Sequence, residues 1–214
     1  MIVRIRTGTY SREWMVVMLF VKEMPVEARE KILFAGLKLF ADKGYKETSI
    51  LEIVEKAHVS KSTYYQFFKG KEDLLISLCL LLADEIFTEV KNAVKSESYV
   101  NDKAYKGILR YIEICFSETE VARLLLVVSA GVSPEAEKVR LDVYRQFARL
   151  IFESVDLPET VTEKQISVAS QAMVGAINHA VIQSFISNEH ELSPEELAGL
   201  LSRIVIGAFI SLSY

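Results

Sequence analysis

Two cysteines, three histidines, four prolines and nine glycines are all that these 214 residues contain of those types. Cys79 and Cys115 lie far apart in apolar surroundings, which excludes a disulfide-stapled scaffold and fits a reducing, cytoplasmic setting. His58, His179 and His190 are scattered, and no Cys/His/acid spacing suits a metal. A glycine-rich phosphate loop and a nucleophile elbow are missing too, so the residues offer no catalytic constellation and call for no cofactor. The longest apolar run near the start, Trp14–Val21, is less than half of the roughly 20 residues that a membrane-spanning helix needs. Alternating patterns of useful strand length do not occur, so the expected fold is all-α.

One segment is poor in a particular charge. Lys56–Lys71 holds four lysines and no acid, in a chain of net charge -4. Residues 1–75 carry +3 (13 Lys and Arg against 10 Asp and Glu), and the remainder carries -7. The first part suits a polyanion and the second does not.

The periodicity explains how that basic segment is held. Ile32, Ala35, Leu39 and Phe40 recur at helical spacing from about Val26, and Gly44 offers a stop. Ser49 and Glu52 form a capping box for a second helix that buries Ile50, Ile53, Val54 and Ala57. His58 occupies the following turn. Ser60 caps a short third helix, in which Tyr64, Phe67 and Phe68 share the face expected to be buried. Ser62 and Gln66 point away, flanked by Lys61, Thr63 and Tyr65. Three short helices with a tight turn between the second and third make a helix-turn-helix unit, sized to enter a DNA major groove.

A long helix over 71–95 should link this head to the rest. Further helices are expected near 102–117, 120–130, 134–154, 163–187 and 194–212, about nine in all. Ser133-Pro134 and Ser193-Pro194 mark two starts, and Thr162 with Gln165 marks another. The last two helices are apolar on more than one side, which predicts a homodimer joined through 163–187 and 194–212. Residues 1–24 have three readings: a packing arm, a membrane-proximal segment, or sequence upstream of the native start. The third is expected, because the regular pattern begins just after Met24.

The ordered set Phe40, Lys43-Gly44-Tyr45, Thr48-Ser49, Ile53, Ala57, Val59-Ser60-Lys61, Thr63, Tyr65, Phe68 and Lys71-Glu72 resembles the DNA-binding domain of TetR/AcrR-type transcriptional regulators. That resemblance implies a head over 25–72, and a helical effector-binding and dimerisation domain over 73–214. It implies a dimeric repressor released from a palindromic double-stranded operator by a small lipophilic effector. The alternative is a helical domain that binds a protein partner. By resemblance, Ser60, Lys61, Ser62, Thr63, Tyr65 and Gln66 meet DNA, with Thr48 and Lys71 on phosphates. The effector pocket would lie beneath the fourth helix. Its candidate residues are Tyr111, Cys115, Tyr144, Asn178, His179 and Gln183, polar groups on otherwise apolar faces.

Overall fold

The computed structural model describes residues 18–154, 158, 160–186 and 192–212. Among the described residues nine α-helices follow one another and no strand occurs. The N-terminal head is α1 (Ala28–Lys43), α2 (Ile50–Ala57) and α3 (Lys61–Phe67). Then come α4 (Lys71–Lys95), α5 (Val100–Ser117), α6 (Thr119–Arg123), α7 (Pro134–Phe152), α8 (Glu163–Ile186) and α9 (Pro194–Ser211).

Local chemistry sets the boundaries. Gly44 ends α1 at φ 87°, and its N–H bonds to Phe40 O at 3.0 Å. Ser49 and Glu52 complete the capping box of α2. His58 takes the left-handed conformation (φ 51°, ψ 45°) that lets the chain reverse into α3. Histidine tolerates this region better than bulky or β-branched residues do. Ser60 caps α3 and Ser133 caps α7. Ser193 and Glu196 form a second capping box at α9. The helix expected over 120–130 divides into α6 and one π-helical turn, Leu124–Val128. Such widened turns recur at functional positions.

Two apolar clusters fill the molecule. The first joins the head to the near half of α4 through Ile32, Leu33, Phe40, Ile53, Tyr64, Phe68, Leu74, Leu75, Leu78 and Leu82. The second lies among α5, α8 and α9, around Ile112, Cys115, Ile177, Val181, Leu201 and Phe209.

Residues 18–24 pack against this body. Met18 and Leu19 form part of a 3-10 turn, belong to the first cluster and are buried. Their N–H groups donate to the two carboxylate oxygens of Glu85 on α4, at 2.9 and 2.6 Å. Lys22 pairs with Glu118 at 2.5 Å. These seven residues lie against α4 and the start of α6, and residues 1–17 lie outside the described residues.

Burial pushes the Glu85 carboxyl from 4.5 up to about 6, partly offset by the two N–H bonds. A folded pKa above the unfolded one gives stability that is present below about pH 4.5 and lost as pH rises through about 6. Denaturation midpoints of the wild-type chain should thus show a decline across that window that Glu85→Gln lacks. Parallel profiles for the two proteins would rule the assignment out.

Candidate nucleic-acid interface and effector cavity

α3 has seven residues, too few to persist alone, so it is held by its anchors. Tyr64 is completely buried, and its hydroxyl donates to Gly70 O at 3.0 Å. Phe68 is buried beside it, with the rings 5.8 Å apart and tilted. With that side fixed, Lys61, Ser62, Tyr65 and Gln66 are exposed on the outer surface, and Thr63 is half-buried beside them. The Ser60 hydroxyl accepts the Thr63 N–H at 3.0 Å and lies 2.7 Å from the Ser62 hydroxyl and 2.8 Å from that of Thr63. Three hydroxyls are thereby gathered at the helix's N-terminal end, where backbone N–H groups and the helix dipole favour anions.

Three side chains are placed otherwise than the sequence predicts. Phe67, expected in the core, is 42% exposed. It lies about 100° from Phe68 around the axis, on the Thr63 flank of the outer surface. Thr48 is buried, and its hydroxyl donates to Gly44 O at 2.8 Å and Leu39 O at 3.3 Å. That hydroxyl closes the α1–α2 loop and does not face outward. Lys71 directs its ammonium at the same loop, donating to Tyr45 O (2.6 Å), Thr48 O (2.7 Å) and Lys46 O (3.2 Å). It also sits 4.4 Å from the Tyr45 ring centroid. An ammonium has three N–H donors, and all three are spent on the loop. Burial lowers the Lys71 pKa. In this structure the two side chains, expected on phosphates, clip the loop instead, Thr48 to the end of α1 and Lys71 to α4.

Beneath α4 lies a cavity of about 280 Å³. Its α4 wall is one stripe, Cys79, Ala83, Ile86, Val90 and Val94. At about 1.5 Å per residue this stripe runs roughly 22 Å, so the space is long and narrow. α5, α7, α8 and α9 supply the other walls, mostly apolar.

Of the six pocket candidates, Tyr111, Cys115, Tyr144 and Asn178 line this space. His179 and Gln183 do not; both are exposed on the other side of α8. The reason is angular: residues one and five places after Asn178 turn about 100° and 140° away from it. Tyr111 donates to Asn178 Oδ1 at 2.6 Å, forming a polar node on an apolar wall. Burial pushes the Tyr111 hydroxyl well above its ordinary pKa. Burial also pushes both cysteine thiols, Cys79 and Cys115, up to about 12. They are neutral at physiological pH and chemically inert. The sequence missed two cations on the walls, Lys103 and Arg140. Among the described residues, no group of three or more side chains could hold a metal, and no helix is long and apolar enough to cross a membrane.

Residues 32–78, covering α1 to the first turns of α4, match the model of the bacterial regulatory proteins of the tetR family. Residues 32–78 carry the DNA-binding pattern of that family. Over 80 residues it is 38% identical to the HTH-type transcriptional regulator YuxN of Bacillus subtilis. That stretch is 37% of this chain and 27% of YuxN, so the chain spans about a quarter of that curated relative's length. The fold as a whole is shared with two solved structures. The fatty acid degradation regulator FadR from Bacillus halodurans superposes with a TM-score of 0.73 at 17% identity, over 86% of this chain and 97% of that one. FadR from Bacillus subtilis, solved in complex with stearoyl-CoA, superposes with a TM-score of 0.72 at 17% identity, over 83% and 97%.

Proposed function

We propose that this TetR-type chain is a dimeric repressor whose hold on a palindromic operator is released by a long-chain amphiphile in the cavity beneath α4. Residues 25–72 form the reading head, and residues 73–214 form the effector-binding and dimerisation domain. α3 enters the major groove, Ser62, Thr63 and Gln66 meet base edges, and Ser60, Lys61 and Tyr65 meet the backbone or a guanine. The apolar residues Val168 on α8, and Leu200 and Ile204 on α9, are exposed in the single chain. They are the surface that a second copy would cover.

The observation that carries the effector reading is the cavity's shape. A narrow, mostly apolar space running roughly 22 Å along α4 suits an extended alkyl chain better than a compact polar metabolite. The stearoyl-CoA bound by the B. subtilis FadR points the same way. A domain devoted to a protein partner would gain from a collapsed core, whereas this one keeps about 280 Å³ open. Filling the space shifts α4, which carries the head, and so changes the spacing of two heads that must meet grooves about 34–36 Å apart.

The test is fluorescence anisotropy on the chain's own upstream DNA, with and without hexadecanoyl-CoA. The wild-type chain should bind tightly and be released by the amphiphile. Ala83→Phe, which plugs the cavity, should bind DNA equally and stay bound. Release of both proteins alike would locate the effector elsewhere, and release of neither would favour a protein partner.

A further inference from the structure

The cavity has two chemically different ends. At the start of its α4 stripe, the Cys79 thiol is hydrogen-bonded to Ser129, just after the π-helical turn, among Ala122, Leu125 and Leu126. At the far end, Gly107 on α5 packs closely enough that a Cβ there would meet Val94 at 2.7 Å and Val90 at 3.8 Å. One helical turn before Gly107 stands Lys103, lining the cavity with Val100 and Ala104. It is half-buried, and it makes no ion pair among the described residues. Its charged neighbours along α5, Asp102 and Lys106, are both exposed.

The other cation on the wall is already occupied. Arg140 donates to both oxygens of Glu137, at 2.8 and 3.1 Å to one of them, and sits 5.0 Å from the Tyr144 ring centroid. Glu137 raises the Arg140 pKa through that bond. An anion arriving at Arg140 would have to compete with a carboxylate in place, whereas one arriving at Lys103 would not.

We propose that Lys103 anchors the anionic head group of the effector at the far end of α4, and that the alkyl chain runs from there toward Cys79, beneath the DNA-binding head. This rests on the reading of the cavity as the effector site. A lysine suits this role because its apolar stem continues the apolar wall, while its compact ammonium serves a carboxylate or a phosphate equally. The ligand class is therefore a long-chain amphiphile with a negative head, either a free fatty acid or its coenzyme A thioester. The orientation places the chain's tip against Cys79, Ala83 and Leu125, so chain length is read next to the head and charge is read far from it.

The experiment is equilibrium binding of dodecanol, dodecanoate and dodecanoyl-CoA to the full chain, as wild type, Lys103→Gln and Arg140→Gln. Wild type should prefer at least one anion over the alcohol by about tenfold or more, the low end for a hydrogen bond between charged groups. Lys103→Gln should lose that preference and keep its affinity for dodecanol, and Arg140→Gln should keep the preference. Whichever anion is preferred more strongly distinguishes a carboxylate from a phosphate head. Equal affinities in wild type, or loss of the preference in Arg140→Gln alone, would overturn the anchor while leaving the cavity reading intact. No binding of any of the three would overturn both. For the orientation, Ala83→Phe should exclude hexadecanoyl-CoA yet still bind octanoyl-CoA through Lys103; loss of both would reverse it.

Discussion

Tyr64→Ala should unfold the DNA-binding head, at a cost of about 3–5 kcal/mol, the range for removing a large buried aromatic. Its side chain is the main anchor of a very short helix. Tyr64 is completely buried, and its ring lies 5.5 Å from Tyr65 and 5.8 Å from Phe68. Its hydroxyl closes the turn after α3 by donating to Gly70 O. Burial raises its pKa, so the hydroxyl stays a neutral donor across the working range. Tyr64→Phe isolates that last contribution, expected at about 1 kcal/mol. Chemical denaturation followed by circular dichroism measures both. A loss below about 1 kcal/mol in Tyr64→Ala would mean that α3 is held by its cap and by Phe68 alone. Operator binding should fail in the alanine variant and persist in the phenylalanine one.

Lys71→Met should weaken operator binding without changing its salt dependence. A lysine on a phosphate contributes to the slope of log affinity against log salt, and its removal reduces the slope by about 1. The Lys71 ammonium instead spends its donors on the carbonyls of Tyr45, Lys46 and Thr48. Removing it frees the α1–α2 loop and leaves three carbonyls without a charged donor. Bonds to charged groups contribute about 1.5–3 kcal/mol when buried. Lys71 is half-buried and screened by solvent, so a total of about 1–3 kcal/mol is expected for all three. Lys61→Met is the comparison: Lys61 is exposed on the reading side, and its loss should reduce the slope. Equal slope changes in the two variants would restore Lys71 to the phosphate contacts.

These two residues show where sequence patterns inform and where they stop. The caps at Ser49, Ser60, Ser133 and Ser193, the left-handed His58 and the limits of α4 were legible because each depends on residues within four places of one another. The buried state of Tyr64 and Phe68 was legible from the period of α3, but the same period put Phe67 inside, because a seven-residue helix leaves the edge of its apolar stripe undefined. The loop contacts of Thr48 and Lys71 were hidden for another reason. Their partners, the carbonyls of the α1–α2 loop and the end of α1, are backbone groups that leave no trace in residue identity. In the cavity, Tyr111 and Asn178 were found as polar groups on apolar faces. His179 and Gln183 satisfied the same criterion, and only the packing of α8 shows that they turn outward. Lys103 and Arg140 were passed over because a charged residue on a helix reads as solvated until a wall is seen beside its stem.

The π-helical turn after α6 has a consequence for how the two halves of the molecule are coupled. Within a few residues, Val121 and Leu124 join the cluster of the head, and Ala122 and Leu126 join the cluster among α5, α8 and α9. Lys38 of α1 pairs with Glu120 at the start of the same stretch. A widened turn adds one residue to the local repeat, which rotates everything after it by about 100° relative to everything before. The segment is thus a phase shifter, toothed on both sides like an idler gear: one set of teeth meshes with the N-terminal head and the other with the wall of the cavity. Removing a single residue from Leu124–Val128 would restore an even pitch and turn the residues after it by about 100° out of their present register. It would also disengage one set of teeth from the other, leaving α4, which holds both core residues of the head and the stripe on the cavity, as the link between them.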